Sequence, residues 1–357
     1  MIAVILLMQL PALLALGAFT HGWGLLAALP AGALTATFLD AYPGPWAISP
    51  RSRRQLYFGL WPFFAWWVAA ASFALLALAI APLAALLDLP MRPLAAATGA
   101  LALAIGLRSI WRRPRVVRVD LGFPDLPAAF DGYRIAQISD VHCGPFAPEK
   151  RVSSWCWRAS HLGADLVAVT GDLIASGTSH IEAVARALGG LEAPDGVVAC
   201  MGNHDYFGAG EPLVLALERH GLRVLRNTSD VLSRGDASLV IAGVDDTWTG
   251  RAQLPRALAG SPAGSFPILL AHDPDMFPEA ARLGVRLTLS GHTHGGQIGV
   301  PFLARRWNLA RIATRFTAGL YHNGPSMLYV NRGVGTSGPP IRVGVPAEIT
   351  LFTLRRT

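Results

Sequence analysis

The chain contains few cysteines, and their spacing provides no covalent or metal-binding framework. Cys143, Cys156 and Cys200 are the only three in 357 residues. Three thiols at these intervals form neither a disulfide scaffold nor a zinc knuckle, which excludes the small disulfide-stapled secreted class. The low content is compatible with a reducing compartment. Cys143 follows His142 directly, so it is either a residue lining a site or a small buried side chain, and we favour the second.

Charge is scarce in the first third of the chain. Residues 1–107 form long apolar runs rich in Leu, Ala, Phe and Trp, and their only acidic residues are Asp40 and Asp88. Uncharged stretches of about twenty residues indicate membrane spans rather than buried core helices. We predict an all-α transmembrane region with four spans, near residues 2–19, 23–40, 57–81 and 92–109. A signal peptide is the alternative for the first span, but no basic segment precedes it and more apolar sequence follows.

The arginines around these spans predict their orientation. One basic cluster lies between the second and third spans, and the other follows the fourth; the clusters are Arg51, Arg53 and Arg54, and Arg108, Arg112, Arg113 and Arg115. Four spans place both clusters on one side, which the positive-inside rule makes cytoplasmic, whereas three spans would separate them. We therefore expect a multi-pass membrane protein whose soluble domain lies in the cytoplasm.

The net charge of +7 belongs mainly to this first region. Residues 1–115 contain eight Arg and two Asp and therefore carry +6. The basicity thus indicates membrane orientation and attraction to anionic headgroups rather than a nucleic-acid surface. No segment resembles a nucleic-acid-binding module, and we expect no nucleic-acid partner. We divide the chain into a transmembrane region at 1–110, a connector at 111–132 and a soluble domain at 133–357.

Hydrophobic periodicity predicts an α/β fold for the soluble domain. Strand-like runs lie at residues 134–139, 165–170, 196–201, 238–244, 267–271, 286–290, 326–330 and 348–354. Helical patterns lie at 148–161, 180–188 and 212–220. Alternation early and strand-rich sequence late suit two mixed sheets packed face to face with helices outside.

Seven side chains that bind metals are spread along this domain. Each lies where an apolar run gives way to a glycine or a polar turn, which is where layered α/β folds place their chemistry. They are Asp140, His142, Asp172, Asn203, His272, His292 and His294. Oxygen and imidazole donors without cysteine suit manganese, iron or zinc. Seven donors are too many for one tetrahedral ion but fit two ions that share a carboxylate, and Asp172 is the natural bridge.

Two of the donor pairs have an informative spacing. Asp140 with His142, and His292 with His294, are separated by one residue. On extended backbone, side chains at i and i+2 point to the same side, so both pairs could face one cluster. Gly291, Gly295 and Gly296 would let the chain turn tightly beside it.

Taken in order, these blocks are similar to the signature of the calcineurin-like metallophosphoesterase superfamily. They read D-x-H, G-D, G-N-H-D, a lone H and G-H-x-H, and the resemblance covers about residues 130–355. It implies a four-layer αββα sandwich and two divalent ions, for which we expect manganese, with iron or zinc as alternatives. The implied ligands of one ion are Asp140, His142, Asp172 and His294. Those of the other are Asp172, Asn203, His272 and His292.

The resemblance also implies a reaction. His204 resembles the histidine that contacts the phosphoryl oxygen and assists the leaving group, while a hydroxide bridging the ions attacks phosphorus. The run Gly291–Gln297 and residues 331–338 resemble a bacterial membrane-associated branch. Some relatives in that branch hydrolyse the pyrophosphate of UDP-2,3-diacylglucosamine in lipid A synthesis. This implies an inner-membrane enzyme acting on a lipid-linked substrate.

One position departs from the family pattern. Many members read G-D-x-x-D, in which the second Asp orients the catalytic histidine, but Ala175 occupies that place here. Ser176 and Asp205 are candidates to orient His204 instead.

Other side chains could contact the substrate. Asp246, Arg332 and Arg342 are candidates for the phosphate, with turn-forming or surface roles as the alternative. Residues 247–265 and 301–321 are candidate specificity loops; the second mixes arginine with Trp and Phe, which suits a lipid contact, and a solvated loop is the alternative. His161, His180, His220 and His322 are expected to be structural or surface residues.

Three functions remain open at this stage. The first is a membrane-anchored two-metal phosphodiesterase or pyrophosphatase for a lipid-linked or membrane-proximal substrate, which tethering would concentrate. The second is a phosphatase for a soluble or protein substrate. The third is a membrane sensor that binds metal and ligand without hydrolysis.

Overall fold

The computed structural model describes residues 9–19, 28–42, 50, 52–110, 113–208 and 210–357. The chain divides into two compact units. The helical unit comprises Met1–Trp111 and Gly338–Val343, and the sandwich unit comprises Arg112–Ser337 and Gly344–Thr357.

The helical unit contains four described α-helices. They are α1 (Leu10–Phe19), α2 (Ala28–Asp40), α3 (Trp61–Leu86), which continues a π-helical turn at Gln55–Leu60, and α4 (Met91–Ser109). Within the described residues, one helix is long and apolar enough to cross a membrane, the 32-residue stretch Gln55–Leu86. Length and composition make it a candidate for the predicted third span.

The helices at the other three predicted spans are shorter or less apolar than α3 in the described residues. The first two fall partly outside the described residues, and their described parts are helices of 10 and 13 residues. The fourth is a 19-residue helix that carries Arg92 and Arg108 among alanines and glycines, so it is less apolar than α3. The four-span topology therefore stays a prediction.

Small residues allow two of these helices to pack closely. A Cβ atom added to Gly106 in α4 would lie 2.9 Å from the Ala69 Cβ and would also collide with the Ala65 carbonyl oxygen. Small side chains at a helix interface let the backbones approach, as in membrane helix pairs. Gln9 adds a polar link in the same unit, because its side chain accepts from the Trp66 indole at 2.8 Å.

The first sheet of the sandwich unit has six strands. They are β1 (Arg115–Phe123), β2 (Arg134–Ile138), β3 (Leu166–Thr170), β4 (Val197–Cys200), β5 (Arg223–Val224) and β12 (Glu348–Arg356). Their order is β1-β12-β2-β3-β4-β5. β12 runs parallel to β1 and antiparallel to β2, and the remaining neighbours are parallel.

The second sheet also has six strands. They are β6 (Thr228–Arg234), β7 (Ala237–Gly243), β8 (Phe266–Leu270), β9 (Leu287–Ser290), β10 (Gly319–Asn323) and β11 (Ser326–Val330). Their order is β10-β11-β9-β8-β7-β6. The four central strands are parallel, and β10 and β6 close the edges as antiparallel partners.

Three apolar layers hold the sandwich together. The middle layer joins the two sheets and contains Phe123, Ile135, Phe266, Ile268 and Phe352, all nearly inaccessible to solvent. The outer layers pack helices on each sheet. These helices are α5 (Glu149–Ser160), α6 (Ile181–Leu188) and α7 (Gly210–Arg219) on the first sheet, and α8 (Leu254–Leu258) and α9 (Phe277–Arg282) on the second. Two mixed sheets between helical layers agree with the predicted architecture.

The strand predictions succeeded where a run is buried on both faces. The eight predicted runs correspond to β2, β3, β4, β7, β8, β9, β11 and β12, whereas β1, β5, β6 and β10 were not predicted. β1 lies within residues 111–132, which we expected to be a connector; its pairing with β12 makes it an edge strand of the domain instead. Its side chains are mostly half-exposed or exposed, so it lacks an apolar run.

Candidate metal centre

The predicted metal ligands meet at one edge of the sandwich. Asp140, Asp172, His272 and His292 each lie two residues beyond the last residue of a strand, namely β2, β3, β8 and β9. β2 and β3 are parallel neighbours in one sheet, as are β8 and β9 in the other, so their carboxyl ends share an edge. This edge is where parallel α/β sheets bind their ligands.

Two groups of donors converge there, and both contain Asp172. The ligating atoms of Asp140, His142, Asp172 and His294 all lie within 4.8 Å of one another. Those of Asp172, His272 and His292 form a second group by the same measure. One carboxylate shared between two donor groups is the arrangement required for a pair of bridged metal ions.

The contacts of Asp172 place it between the groups. Its Oδ2 lies 3.4 Å from His142 Nε2 and 3.2 Å from His272 Nε2. Its Oδ1 accepts a hydrogen bond from the His204 backbone N–H at 2.9 Å, which fixes the carboxylate. His142 Nε2 is also only 3.0 Å from His294 Nε2, so two imidazole nitrogens point at the same position.

Neighbouring groups orient the ligands of the second site. His272 Nδ1 donates to the Thr170 carbonyl at 2.7 Å, which directs Nε2 toward Asp172 in the site. Asn203 was predicted as a ligand of the same ion, and its Oδ1 lies 3.0 Å from His292 Nδ1. Thus all seven predicted ligands are brought to this edge.

The electrostatics of the centre favour cations. Burial alone would raise the pKa of Asp172, but the His272 and His142 imidazoles lower it well below its usual range, so Asp172 is a carboxylate. Burial lowers the pKa of His272, yet Asp172 outweighs this effect and raises it to about 10, which shows a preference for positive charge beside the carboxylate. Burial and His272 lower the pKa of His292 and keep that imidazole neutral. Buried carboxylates with imidazole nitrogens are a donor set that fits divalent ions.

Both ligand pairs face the cluster, as their spacing indicated, but their backbone is not extended as that argument assumed. Asp140, His142, His292 and His294 have φ angles of 53°, 46°, 70° and 51°, and Asp172 has 54°. These angles lie in the left-handed region, a conformation that costs an L-residue about 1–2 kcal/mol. The pairs converge through these turns rather than through extended strands. Strained backbone of this kind is typical of sites where surrounding structure fixes the side chains.

Two glycines make room for the cluster. A Cβ atom at Gly291 would collide with the Ser139 hydroxyl and the Asp140 carboxylate. A Cβ atom at Gly171 would lie 2.6 Å from His272 Nδ1, and the φ of this residue is +78°. The glycines that flank the ligands in the sequence are therefore required by close approach.

His204 is oriented by the main chain. Its Nδ1 donates to the Ala175 carbonyl oxygen at 2.7 Å, so the residue that lacks the family's carboxylate supplies the acceptor through its backbone. Of the two candidates to orient His204, Ser176 is exposed. Asp205 instead accepts from the N–H groups of Leu173 at 2.7 Å and Gly202 at 2.9 Å.

Two residues near His204 had no predicted role. The Ser337 hydroxyl lies 3.4 Å from His204 Nε2. Gln297 holds Ser337 at both backbone groups, because its amide donates to the Ser337 carbonyl at 2.8 Å and accepts from the Ser337 N–H at 3.0 Å. Both residues lie in motifs that we compared with the family, but nothing in their spacing indicated this contact.

The three candidate phosphate contacts all make hydrogen bonds or ion pairs within the protein. Arg332 forms a salt bridge with Glu348, whose side chain is buried. Asp246 accepts from the Thr249 N–H at 2.7 Å and so forms a turn. Arg342 belongs to the helical unit, where its N–H donates to the Ser109 carbonyl at 2.9 Å. Cys143 is buried in the apolar layer beneath the helices of the first sheet.

Comparison with known proteins agrees with this geometry. The Calcineurin-like phosphoesterase family model matches residues 133–296. The chain is 36% identical over 236 residues to the uncharacterized metallophosphoesterase YkuE of Bacillus subtilis (strain 168), covering 65% of this chain and 82% of that protein. It is 31% identical over 231 residues to an uncharacterized metallophosphoesterase of Aquifex aeolicus (strain VF5), covering 62% of this chain and 85% of that protein.

A vertebrate relative is named as a transmembrane protein. The chain is 31% identical over 265 residues to a protein of Danio rerio called transmembrane protein with metallophosphoesterase domain, covering 70% of this chain and 60% of that protein. Together with the site, these comparisons show that the chain belongs to the calcineurin-like metallophosphoesterases. Asp140, His142, Asp172 and His294 fit the binuclear site of this family.

Proposed function

We propose that this chain is a membrane-anchored phosphodiesterase or pyrophosphatase that acts on a lipid-linked substrate such as UDP-2,3-diacylglucosamine. The observation that carries the proposal is the Asp172-centred cluster with His204 beside it, in a chain that also contains the apolar helix Gln55–Leu86. Two divalent ions, when bound, would polarise the phosphoryl group and lower the pKa of a coordinated water. Manganese is the ion we expect, with the domain in the cytoplasm of a bacterium.

The protein's own groups do the remaining work. Asp140 and Asp172 supply buried carboxyl groups to the site, and Asp172 is ionised. The Nδ1 proton of His204 is held by the Ala175 carbonyl, so it is the imidazolium form of His204 that can give a second proton, from Nε2, to the departing oxygen. A leaving group that would otherwise depart as an alkoxide needs this proton most.

Two exposed aromatic rings flank the centre and support an organic substrate. The Trp248 ring is 68% exposed and lies 5.2 Å from the His292 ring. The Phe207 ring is 49% exposed and lies 4.9 Å from the His204 ring. Exposed rings at the mouth of a polar site offer contact area to the base, sugar or acyl part of a substrate.

Replacing Trp248 by Ala tests this contact. We expect KM for the preferred substrate to rise roughly fivefold, since a lost aromatic contact costs about 1 kcal/mol, while kcat changes less than about twofold. Steady-state kinetics measures both constants. Trp157→Ala is the matched control, because that ring is also exposed but lies on α5. An unchanged KM in Trp248→Ala would remove this ring from the substrate site.

The proposed function is tested by hydrolysis with the purified full-length protein. The panel contains bis-p-nitrophenyl phosphate, a phosphomonoester, UDP-2,3-diacylglucosamine and common phospholipids, each with added manganese, and Asp140→Ala serves as the inactive control. We expect the highest kcat/KM on a lipid-linked diester or pyrophosphate. Chelation should abolish activity and manganese should restore it.

The other outcomes choose between the alternatives. Preference for the phosphomonoester would favour a phosphatase for soluble or protein substrates. A further outcome is that the protein hydrolyses none of these substrates while elemental analysis finds two ions per chain. That result would favour a sensor that binds without hydrolysis.

A further inference from the structure

A loop beside the metal centre exposes apolar side chains in unusual density. Among the described residues of the sandwich unit, twelve large apolar side chains are exposed, and six of them lie within residues 300–312. They are Val300, Phe302, Leu303, Trp307, Leu309 and Ile312. The two most exposed are Phe302, at 105% of its reference area, and Ile312, at 87%. A concentrated apolar surface of this kind marks a contact site rather than ordinary surface.

The same loop is strongly basic. Residues 298–316 contain Arg305, Arg306, Arg311 and Arg315 and no acidic residue. Arginine with Trp and Phe is the composition of a segment that inserts apolar side chains below a layer of anionic headgroups. A protein partner with an apolar face would not require four positive charges and the absence of any negative one.

The loop presents these side chains from an ordered backbone. The Val300 N–H donates to the Trp307 carbonyl at 2.9 Å, and the Leu309 N–H donates to the Ile298 carbonyl at 3.1 Å. Asn308 ties the loop together through its side chain, which donates to the Ala304 carbonyl at 2.6 Å. Because these polar groups are paired within the loop, it can enter an interfacial layer without burying unsatisfied backbone.

The loop also adjoins the metal centre directly. Gly296 is two residues from His294, and a Cβ atom there would lie 2.8 Å from the Leu309 backbone nitrogen. The helical turn Leu309–Ile312 therefore packs against the chain that carries a metal ligand. Whatever residues 300–312 contact is held next to the site.

We propose that residues 298–316 form an interfacial loop that inserts into the surface of an anionic lipid bilayer and brings the metal centre to the headgroups. This deepens the proposed function and rests on it for the lipid-linked substrate. Phe302, Trp307 and Ile312 would enter the acyl boundary while the arginines meet lipid phosphates. The site would then draw its substrate from the membrane surface.

Site-directed fluorescence on the full chain tests this insertion. An environment-sensitive thiol label is placed at Phe302→Cys, and the protein is reconstituted in vesicles of phosphatidylcholine or of an equal mixture with phosphatidylglycerol, with and without brominated acyl chains. The native thiols do not compete, because Cys143, Cys156 and Cys200 are buried, and burial raises the pKa of the first two to about 12. Ile312→Cys is a second labelling position in case the first variant folds poorly.

Val231→Cys is the matched control. Val231 is also an exposed apolar residue, and it lies on β6. β6 is at the far edge of the second sheet from β10, which Arg305 contacts through the Leu320 carbonyl at 2.6 Å. Five strand spacings separate these edges, roughly 24 Å.

We expect brominated lipid to quench the label at 302 or 312 about threefold more than the label at 231, and phosphatidylglycerol to increase the difference. Arg306→Gln should reduce the phosphatidylglycerol effect. Equal quenching at 302, 312 and 231 would overturn the proposal.

Hydrolysis of the substrate panel described above, with added manganese, by the same labelled samples separates this proposal from the proposed function. Active protein with equal quenching at all positions refutes the lipid contact and leaves the hydrolase. Selective quenching in protein that hydrolyses nothing supports the lipid contact and refutes the hydrolase.

Discussion

Replacement of Asp172 by Asn is expected to lower kcat by about 10³-fold or more and to lower the metal content of the purified protein. Asp172 belongs to both donor groups, and its Oδ2 lies within 3.4 Å of an imidazole nitrogen from each. An amide has no charge with which to bridge two cations. Its nitrogen would also turn a donor toward the histidine side chains, so both sites should weaken together.

Activity assays and elemental analysis of the full-length protein measure these two losses. Asp236→Asn is the matched control, since it removes one carboxylate at an exposed position next to β7. A variant at position 172 that keeps two ions and full kcat would exclude a bridging role for this carboxylate.

Replacement of His204 by Gln is expected to act according to the leaving group. A dialkyl phosphodiester should lose about 10²–10³-fold in kcat, because its alkoxide needs a proton as it departs. For bis-p-nitrophenyl phosphate, whose leaving group is stable as an anion, we expect a loss of less than about tenfold. Metal content should stay unchanged, since His204 lies outside both donor groups.

Comparison of the two substrates separates proton donation from other roles of His204. His220→Gln is the control, because that half-buried imidazole lies near Glu182, at 3.9 Å, and not in the metal cluster. Equal losses on both substrates would assign His204 to charge stabilisation rather than to proton transfer.

The sequence predicted the central strands and the ligand set for the same physical reason. Strands buried on both faces need continuous apolar runs, as in β3 with its five buried residues. The polar residue that follows such a run is conspicuous, and Asp172 after Leu166–Thr170 is an example. Parallel pairing then brings residues that are distant in sequence to one edge, so the convergence of these donors could be predicted without coordinates.

The unpredicted parts depend on contacts that leave no local pattern. β1 is an edge strand whose half-exposed side chains do not alternate clearly, and only its pairing with β12 defines it. The orientation of His204 depends on the Ala175 carbonyl, and any residue type at 175 carries a carbonyl. The left-handed backbone of His292 and His294 could not be predicted from the sequence either. Residues other than glycine adopt this region rarely, and here the surrounding fold imposes it.

The position of β12 has a consequence for biosynthesis. Phe352 pairs with Val119 on one side and with Ile135 on the other, so β1 and β2 become neighbours of a strand that the ribosome makes long after both. Until residues 348–356 have emerged, the first sheet has a gap bordered by two open edges, and open edges invite pairing with other chains. Those two edges therefore stay open to pairing with other chains until β12 has been made and has filled the gap between β1 and β2.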